Sequence, residues 1–73
     1  MKELRTAAAV FERIHHNQDA LRAALEELTK WVGERGAGDV VGNVQGALTT
    51  LDDNVEAVRE GIAELVAVSV RPR

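Results

Sequence analysis

A chain of 73 residues with 12 acidic and 9 basic side chains, a net charge of −3 and no cysteine excludes several classes of protein. Disulfides and thiolate-bound zinc or iron–sulfur sites are excluded, and a domain this small buries too little surface to be comfortably stable alone. The charged N-terminal segment lacks a signal-peptide pattern and no run approaches the roughly 20 apolar residues of a membrane span, so we expect a cytoplasmic protein with no membrane partner.

The first half of the chain has the apolar periodicity of one long helix. Apolar residues recur every three or four positions, interrupted only at Gln18, which predicts an amphipathic helix over about residues 2 to 33. Asn17 or Asp19 could instead begin a new helix, so the sequence leaves the continuity of this helix open. With Leu4 at heptad position a, the a positions are Leu4, Phe11, Gln18, Leu25 and Val32, and the d positions are Ala7, Ile14, Leu21 and Leu28.

A glycine-rich segment, residues 34 to 39, ends the first helix, because glycine permits left-handed backbone at a helix C-terminus. Asp39 is expected to cap the next helix, which is predicted over about residues 40 to 69. Its seam follows steps of three and four through Val41, Val44, Leu48, Leu51, Val55, Val58, Ile62, Leu65 and Ser69. Residues 70 to 73, with Pro72 and two arginines, are predicted to form a flexible basic tail.

Two helices of equal length joined by a short turn predict an all-α fold, an antiparallel helical hairpin that forms a single domain over residues 1 to 73. A turn centred near residue 36 brings Phe11 level with Gly61 and Trp31 level with Gly42, so each aromatic ring would meet a residue without a side chain.

The apolar surface extends past positions a and d into position g, which is more than one partner helix can cover. We therefore expect two hairpins to form a homodimeric four-helix bundle, with a different protein as the alternative occupant of the second face. The predicted oligomer core consists of Leu21, Leu25, Leu28, Trp31, Leu48 and Leu51.

The stretch IHHNQD, residues 14 to 19, is polar and lies opposite LDDN, residues 51 to 54, in the antiparallel hairpin. A buried amide layer is a known device for fixing helix register. The predicted polar layer contains His15, Asn17, Gln18 and Asn54, with His15 expected to meet Asp52 or Glu56 across the interface.

The histidine pair is a poor candidate for catalysis or metal binding. Adjacent helical residues point about 100° apart, whereas helical metal pairs usually have i, i+3 or i, i+4 spacing. Glu12 and His16 have that spacing and would bind a stray metal only weakly. GERGAG follows a helix rather than a strand and lacks the pattern of a phosphate loop. We therefore expect no cofactor, no metal and no enzymatic activity.

The second half of the chain is acidic, with six acidic and three basic residues from 37 to 73. Its charged ridge is formed by Asp53, Glu56, Glu60 and Glu64. The ridge is either a solvated face that maintains solubility or a binding surface for a protein with a basic surface. Nucleic acid is disfavoured as a partner, because its binding depends largely on neutralising phosphates.

These features predict a non-enzymatic protein–protein interaction module, a small cytoplasmic regulator, adaptor or inhibitor of bacterial or phage type that acts through the acidic ridge. One alternative is an RNA- or DNA-binding dimeric four-helix bundle with the architecture of the plasmid copy-number protein Rop. Another is a helical chaperone or assembly subunit that a different chain completes.

Overall fold

The computed structural model describes residues 2–70, which form two antiparallel helices. Helix α1 spans Lys2–Glu34 and helix α2 spans Gly38–Ser69. The predicted all-α hairpin is therefore confirmed, and α1 continues without interruption through the polar stretch at residues 14 to 19. Of the predicted tail, Val70 lies in a turn, and residues 71 to 73 lie outside the described residues.

The connection between the helices is shorter than the sequence predicts and contains residues 35 to 37. Gly36 has a φ of +88°, the left-handed region in which glycine avoids the steric cost of a Cβ atom. The N-cap of α2 is Ala37, which makes no side-chain cap hydrogen bond, so the prediction that Asp39 caps this helix is wrong. Because α2 starts at Gly38, Asp39 lies inside the first turn, where its negative charge interacts favourably with the positive end of the helix dipole.

Close approach of the helices depends on a glycine in α1. A Cβ atom on Gly33 would lie 3.3 Å from Cγ2 of Val41, whereas a Cβ on Gly42 or Gly61 would meet nothing within 4 Å. Phe11 does come level with Gly61, since both line one open groove, but the prediction that each aromatic ring packs on a glycine inside the hairpin is wrong. The Trp31 ring instead stacks with Arg35 of the connection, whose guanidinium carbon lies 4.4 Å from the ring centroid.

The seam predicted for α2 is confirmed. All nine of its positions, from Val41 to Ser69, are buried or half-buried. Leu48 is the most covered large residue, with 9% of its surface exposed. The hydroxyl of Ser69, the polar residue that ends the seam, donates a hydrogen bond to the carbonyl of Val66 at 2.8 Å, so its burial leaves no unsatisfied group.

The seam of α1 is rotated relative to the prediction. Its covered residues are Leu4, Ala7, Ala8, His15, Arg22, Thr29 and Val32. Ala8, His15, Arg22 and Thr29 repeat every seven residues at heptad position e, so α2 packs along positions a and e, and the prediction of an a and d seam is wrong for α1. The physical reason is that the apolar stripe of α1 is wider than one helix can cover, so α2 packs along only one edge of the stripe.

Candidate interaction site

An arginine occupies the centre of the helix–helix contact. Arg22 Nη1 lies 2.6 Å from Oδ1 of Asp52, and Nη2 donates a hydrogen bond to the carbonyl of Leu48 at 3.4 Å. The Arg22 side chain is only 20% exposed, so its stem packs between the helices while its charge meets a carboxylate at the edge. Sequence reasoning missed this contact. The available signal was that Arg22, at position e, comes level with residues near 50 to 52 in the antiparallel pairing.

Three of the four predicted polar-layer residues lie together beside Arg22. His15, Gln18 and Asn54 line a cavity of about 10 Å³, which is room for one water molecule. Asn17 is exposed and does not line this cavity. The expected contact from His15 to Asp52 or Glu56 is wrong: His15 Nε2 lies 3.9 Å from Asp19 Oδ2 on its own helix, while Arg22 holds Asp52.

The arrangement around the histidines fits structural roles. The rings of His15 and His16 are 6.4 Å apart between centroids and tilted by 37°, so they do not converge on one point. Within residues 2–70 no three His, Asp or Glu side chains come together as a metal site. The Arg22–Asp52 ion pair at mid-height can fix the register of the two helices, which is the main chemistry that this layer offers.

One broad face of the hairpin is apolar. We define the apolar face in α1 as the exposed apolar residues at positions a, d and g, among which Leu21, Leu28 and Trp31 expose 61%, 59% and 53% of their surface. Phe11 and Leu25 form the inner edge of this face, next to α2. The remaining large members in α1 are Val10 and Ile14. Exposed apolar patches of this extent mark interaction surfaces.

Helix α2 contributes to the same face. Phe11 of α1 lines an open apolar groove with Val58, Gly61 and Leu65, so positions d and g of α2 lie on the Phe11 side of the hairpin. Val68, one heptad beyond Gly61, is exposed at the same edge. The apolar face therefore spans both helices.

The predicted oligomer-core residues do not all lie on one surface. Leu21, Leu25, Leu28 and Trp31 are exposed on the apolar face, whereas Leu51 is half-buried and lines the small cavity beside Arg22. Leu48 is different, because it is buried between the two helices of one hairpin. The structure therefore brings four of the six residues onto one open surface.

The opposite face of the hairpin is polar. Its groove is lined by Glu12, His16, Asp19 and Arg59, with only small or aliphatic residues of α2 between them. Neither helix within residues 2–70 has the length and apolarity that crossing a bilayer requires. The two faces of the hairpin thus differ in chemistry, because charged and histidine side chains surround the aliphatic residues on this face, among them the partly exposed Val66, whereas large apolar side chains dominate the other.

The predicted acidic ridge runs along the solvent side of α2. Asp53, Glu56, Glu60 and Glu64 are all exposed. Glu56 Oε1 lies 3.4 Å from Arg59 Nη1, and the other three carboxylates make no ion pair with another side chain of residues 2–70. The ridge therefore keeps most of its negative charge available for a partner.

Comparison of the chain with protein-family models, with curated proteins and with solved structures finds no match. Its function is therefore argued from its surfaces.

Proposed function

We propose that this chain is a non-enzymatic protein–protein interaction module, a small cytoplasmic regulator, adaptor or inhibitor. It self-associates through the apolar face and binds a partner with a basic surface through the acidic ridge. The observation that carries this proposal is the apolar face itself, on which Leu21, Leu28 and Trp31 each leave more than half of their surface exposed.

The single hairpin has too small a core to account for its own stability. Among residues 2–70, the buried hydrophobic residues are Ala8 and Leu48. Burial of apolar surface is the main favourable term in folding, so a chain with so little of it needs further association. Covering the apolar face supplies the missing burial and removes the exposed leucines from water at the same time.

The acidic ridge is the best candidate for the surface that remains outside after association. It lies on the solvent side of α2, and its like-charged neighbours, Glu56 with Glu60 and Glu60 with Glu64, mildly destabilise the helix. Charge of one sign along a helix attracts a partner of opposite sign and accelerates the encounter.

Binding of a fluorescein-labelled decalysine peptide tests the ridge. Replacing Glu56, Glu60 and Glu64 with glutamine should weaken binding about tenfold at low salt, because three charges facing the peptide are lost. The matched control replaces Glu12, Glu26 and Glu27 of α1 with glutamine, which removes the same net charge and should change the affinity less than threefold. Equal losses in both variants, or no binding to the wild-type chain at low salt, would contradict the ridge as the binding surface.

The nucleic-acid alternative has less support. It needs one basic face formed by Arg5, Arg13, Arg22, Lys30 and Arg35. Arg22, however, is paired with Asp52 inside the hairpin, and Arg35 stacks on Trp31. A labelled RNA hairpin titrated with micromolar protein at low salt tests it, and salt-dependent binding would favour this alternative over a protein partner. The assembly-subunit alternative predicts that the purified chain stays monomeric and co-purifies with a stoichiometric second protein.

A further inference from the structure

We propose that the occupant of the apolar face is a second copy of this chain, docked so that α1 of each copy packs on α2 of the other. The twofold axis runs parallel to the four helices, and both turns lie at the same end of the bundle. This inference rests on the self-association in the proposed function and specifies its geometry.

The two halves of the apolar face differ in side-chain size. The α1 half presents large residues, among them Leu21 and Leu28, each with more than half of its surface exposed. The middle of α2 presents the short side chains Ala47, Asn54 and Gly61 at position g. A Cβ atom on Gly61 would meet nothing within 4 Å, so this row has space for larger side chains. Because helices pack by fitting ridges into grooves, the α1 half of one copy fits the α2 half of another.

The symmetry of this arrangement fixes its register. A twofold rotation involves no shift along its own axis, so each α1 residue meets the partner's α2 at the level at which it lies beside its own α2. Within the hairpin, Gly33 lies beside Val41 and Arg22 beside Asp52. Residues of α1 and α2 are therefore level when their numbers add up to about 74, and the same rule applies between the two copies.

At that register the large residues at position d of α1 meet the short residues at position g of the partner's α2. Each pair lies within one residue of the same level, which is about 1.5 Å along the helix axis. The pairs are Ile14 with the partner's Gly61, Leu21 with the partner's Asn54, and Leu28 with the partner's Ala47. The register of the single hairpin thus produces the size match between two copies without adjustment, which favours a second copy as the occupant.

The charges of the two helices favour the same arrangement. Helix α2 carries six acidic side chains and one basic side chain, whereas α1 carries six acidic and five basic side chains. With α1 on the partner's α2, each α2 helix has an α1 helix on both sides, and the two acidic helices lie diagonally across the bundle. Stacking α1 on the partner's α1 would instead place the two acidic helices side by side, where like charges repel.

One pair of opposite charges lies at the edge of the proposed interface. Arg13 and Glu64 are exposed at position c, on the outer edges of the apolar face, and neither makes an ion pair with another side chain of residues 2–70. In the proposed dimer these edges meet, and Arg13 comes within about one helical turn of the partner's Glu64. Because the dimer is symmetric, this pair occurs twice, once on each side of the apolar centre.

Distances between spin labels test the direction of the twofold axis, and the chain has no cysteine that would compete for labelling. Thr6→Cys, Ala20→Cys and Glu34→Cys all lie at position c of α1, so a nitroxide on each points to the same side of the helix. With the axis parallel to the helices, the two α1 helices are parallel and equally far from the axis throughout. All three variants should therefore give the same distance between the two labels, about 25 Å.

Stacking α1 on the partner's α1 predicts a different pattern. The axis is then perpendicular to the helices and the two α1 helices are antiparallel, so the labels move apart by about 3 Å for each residue between the label and the axis. Wherever the axis crosses α1, at least two of the three distances would then differ by about 20 Å or more. Such unequal distances would overturn the proposal.

An exchange of side chains between the helices provides a second test that needs no label. Leu28→Ala and Ala47→Leu should each raise the dimer Kd about tenfold, through a cavity and through overpacking. The double variant should return to within about threefold of the wild-type Kd, because the large side chain now at position 47 would meet the small one now at position 28 of the partner subunit.

The control for this exchange combines Ala47→Leu with Leu21→Ala. Leu21 lies two helical turns from the pair, so this combination should show no recovery of the dimer Kd. Compounded losses in the Leu28→Ala and Ala47→Leu double variant, or equal recovery in the control, would overturn the proposed pairing of α1 with the partner's α2.

The outcomes separate this proposal from the general function. A dimer with unequal label distances removes the pairing of α1 with the partner's α2 but leaves a self-associating module in place. A chain that stays monomeric up to millimolar concentration overturns both the second copy as occupant and the self-association. Decalysine binding to the acidic ridge is measured separately and does not depend on either result.

Discussion

The two helices have the same apolar repeat, but they differ in how many of the repeat positions the hairpin covers. Every predicted seam position of α2 is covered by α1, whereas Ile14, Leu21 and Leu28 at the d positions of α1 remain exposed. In α2 the seam is flanked at position e by polar Gln45 and Asp52, which confine its apolar surface. The stripe of α1 is wider, and α2 packs along its edge. A repeat of three and four residues thus identifies an apolar side, but the width of that side decides how many partners it needs.

Three residues of α1 explain why α2 packs along positions a and e rather than a and d. Ala8 is small enough for close packing at the open end, and Gly33 permits the contact with Val41 at the turn. Between them Arg22 reaches Asp52. These three residues hold α2 along positions a and e, and they leave the larger d residues of α1 free for a second interface.

The largest effect is expected from a charge in the centre of the apolar face. Leu28→Asp should raise the dimer Kd at least about a hundredfold, because each dimer would bury two unpaired carboxylates. Sedimentation velocity over a concentration series measures this change. Ala23→Asp, at an exposed position on the polar side of α1, is the control and should leave Kd within about threefold. Similar behaviour of the two variants would mean that the faces of α1 do not differ as described.

Truncation of the α2 seam should have the next largest effect. Leu48→Ala should lower the free energy of unfolding by about 2 to 4 kcal/mol, because Leu48 is the most buried large residue of the hairpin. Urea unfolding followed by circular dichroism at 222 nm measures it. The loss should persist at saturating protein concentration, whereas the loss in Leu28→Ala should shrink as concentration rises. A Leu48→Ala loss below about 1 kcal/mol would place the hairpin contact elsewhere.

The ion pair at mid-height should contribute less. Arg22→Ala should lower the free energy of unfolding by about 1 to 2 kcal/mol, through lost packing of the stem and a lost partner for Asp52. A double-mutant cycle with Asp52→Ala isolates the pair and should give a coupling of about 0.5 to 1 kcal/mol. Arg13→Ala, which removes an exposed arginine, is the control. Zero coupling would show that the contact adds nothing beyond packing.

The smallest effects concern the glycines. Gly46→Ala should stabilise the chain by about 0.5 to 1 kcal/mol, since alanine is the better helix former and the added methyl meets open space. Gly33→Ala should gain less or become destabilising, because its Cβ would press on Val41 at 3.3 Å. Thermal unfolding of both variants makes the comparison, and equal gains would show that α1 and α2 do not need close approach there.

The sequence predicts the coarse fold well because its signals are strong and local. Periodicity locates both helices, and the glycines around Gly36 locate the turn to within a few residues. The cap at Asp39 was mispredicted because the helix starts one residue before it, at Gly38. The role of Gly33 was missed because it depends on a distance between two helices, which spacing along one chain does not contain.

The candidate surfaces were predictable to different degrees. Exposure of the acidic ridge follows directly from its spacing on α2, and an apolar face too wide for one helix was expected from position g. Which leucines lie on that face was only partly predictable, since Leu48 is buried inside the hairpin. The position of Arg22 was not predictable from the sequence, because a long side chain with an apolar stem and a charged head fits either the edge of a helix seam or a solvated face.

Sedimentation equilibrium of the wild-type chain across micromolar to millimolar concentrations tests the central claim most directly. If a second copy covers the apolar face of α1, the solution mass should be that of two 7.9 kDa chains, with helicity rising as the dimer forms. A helical chain that keeps the mass of a single 7.9 kDa protomer throughout would contradict the claim.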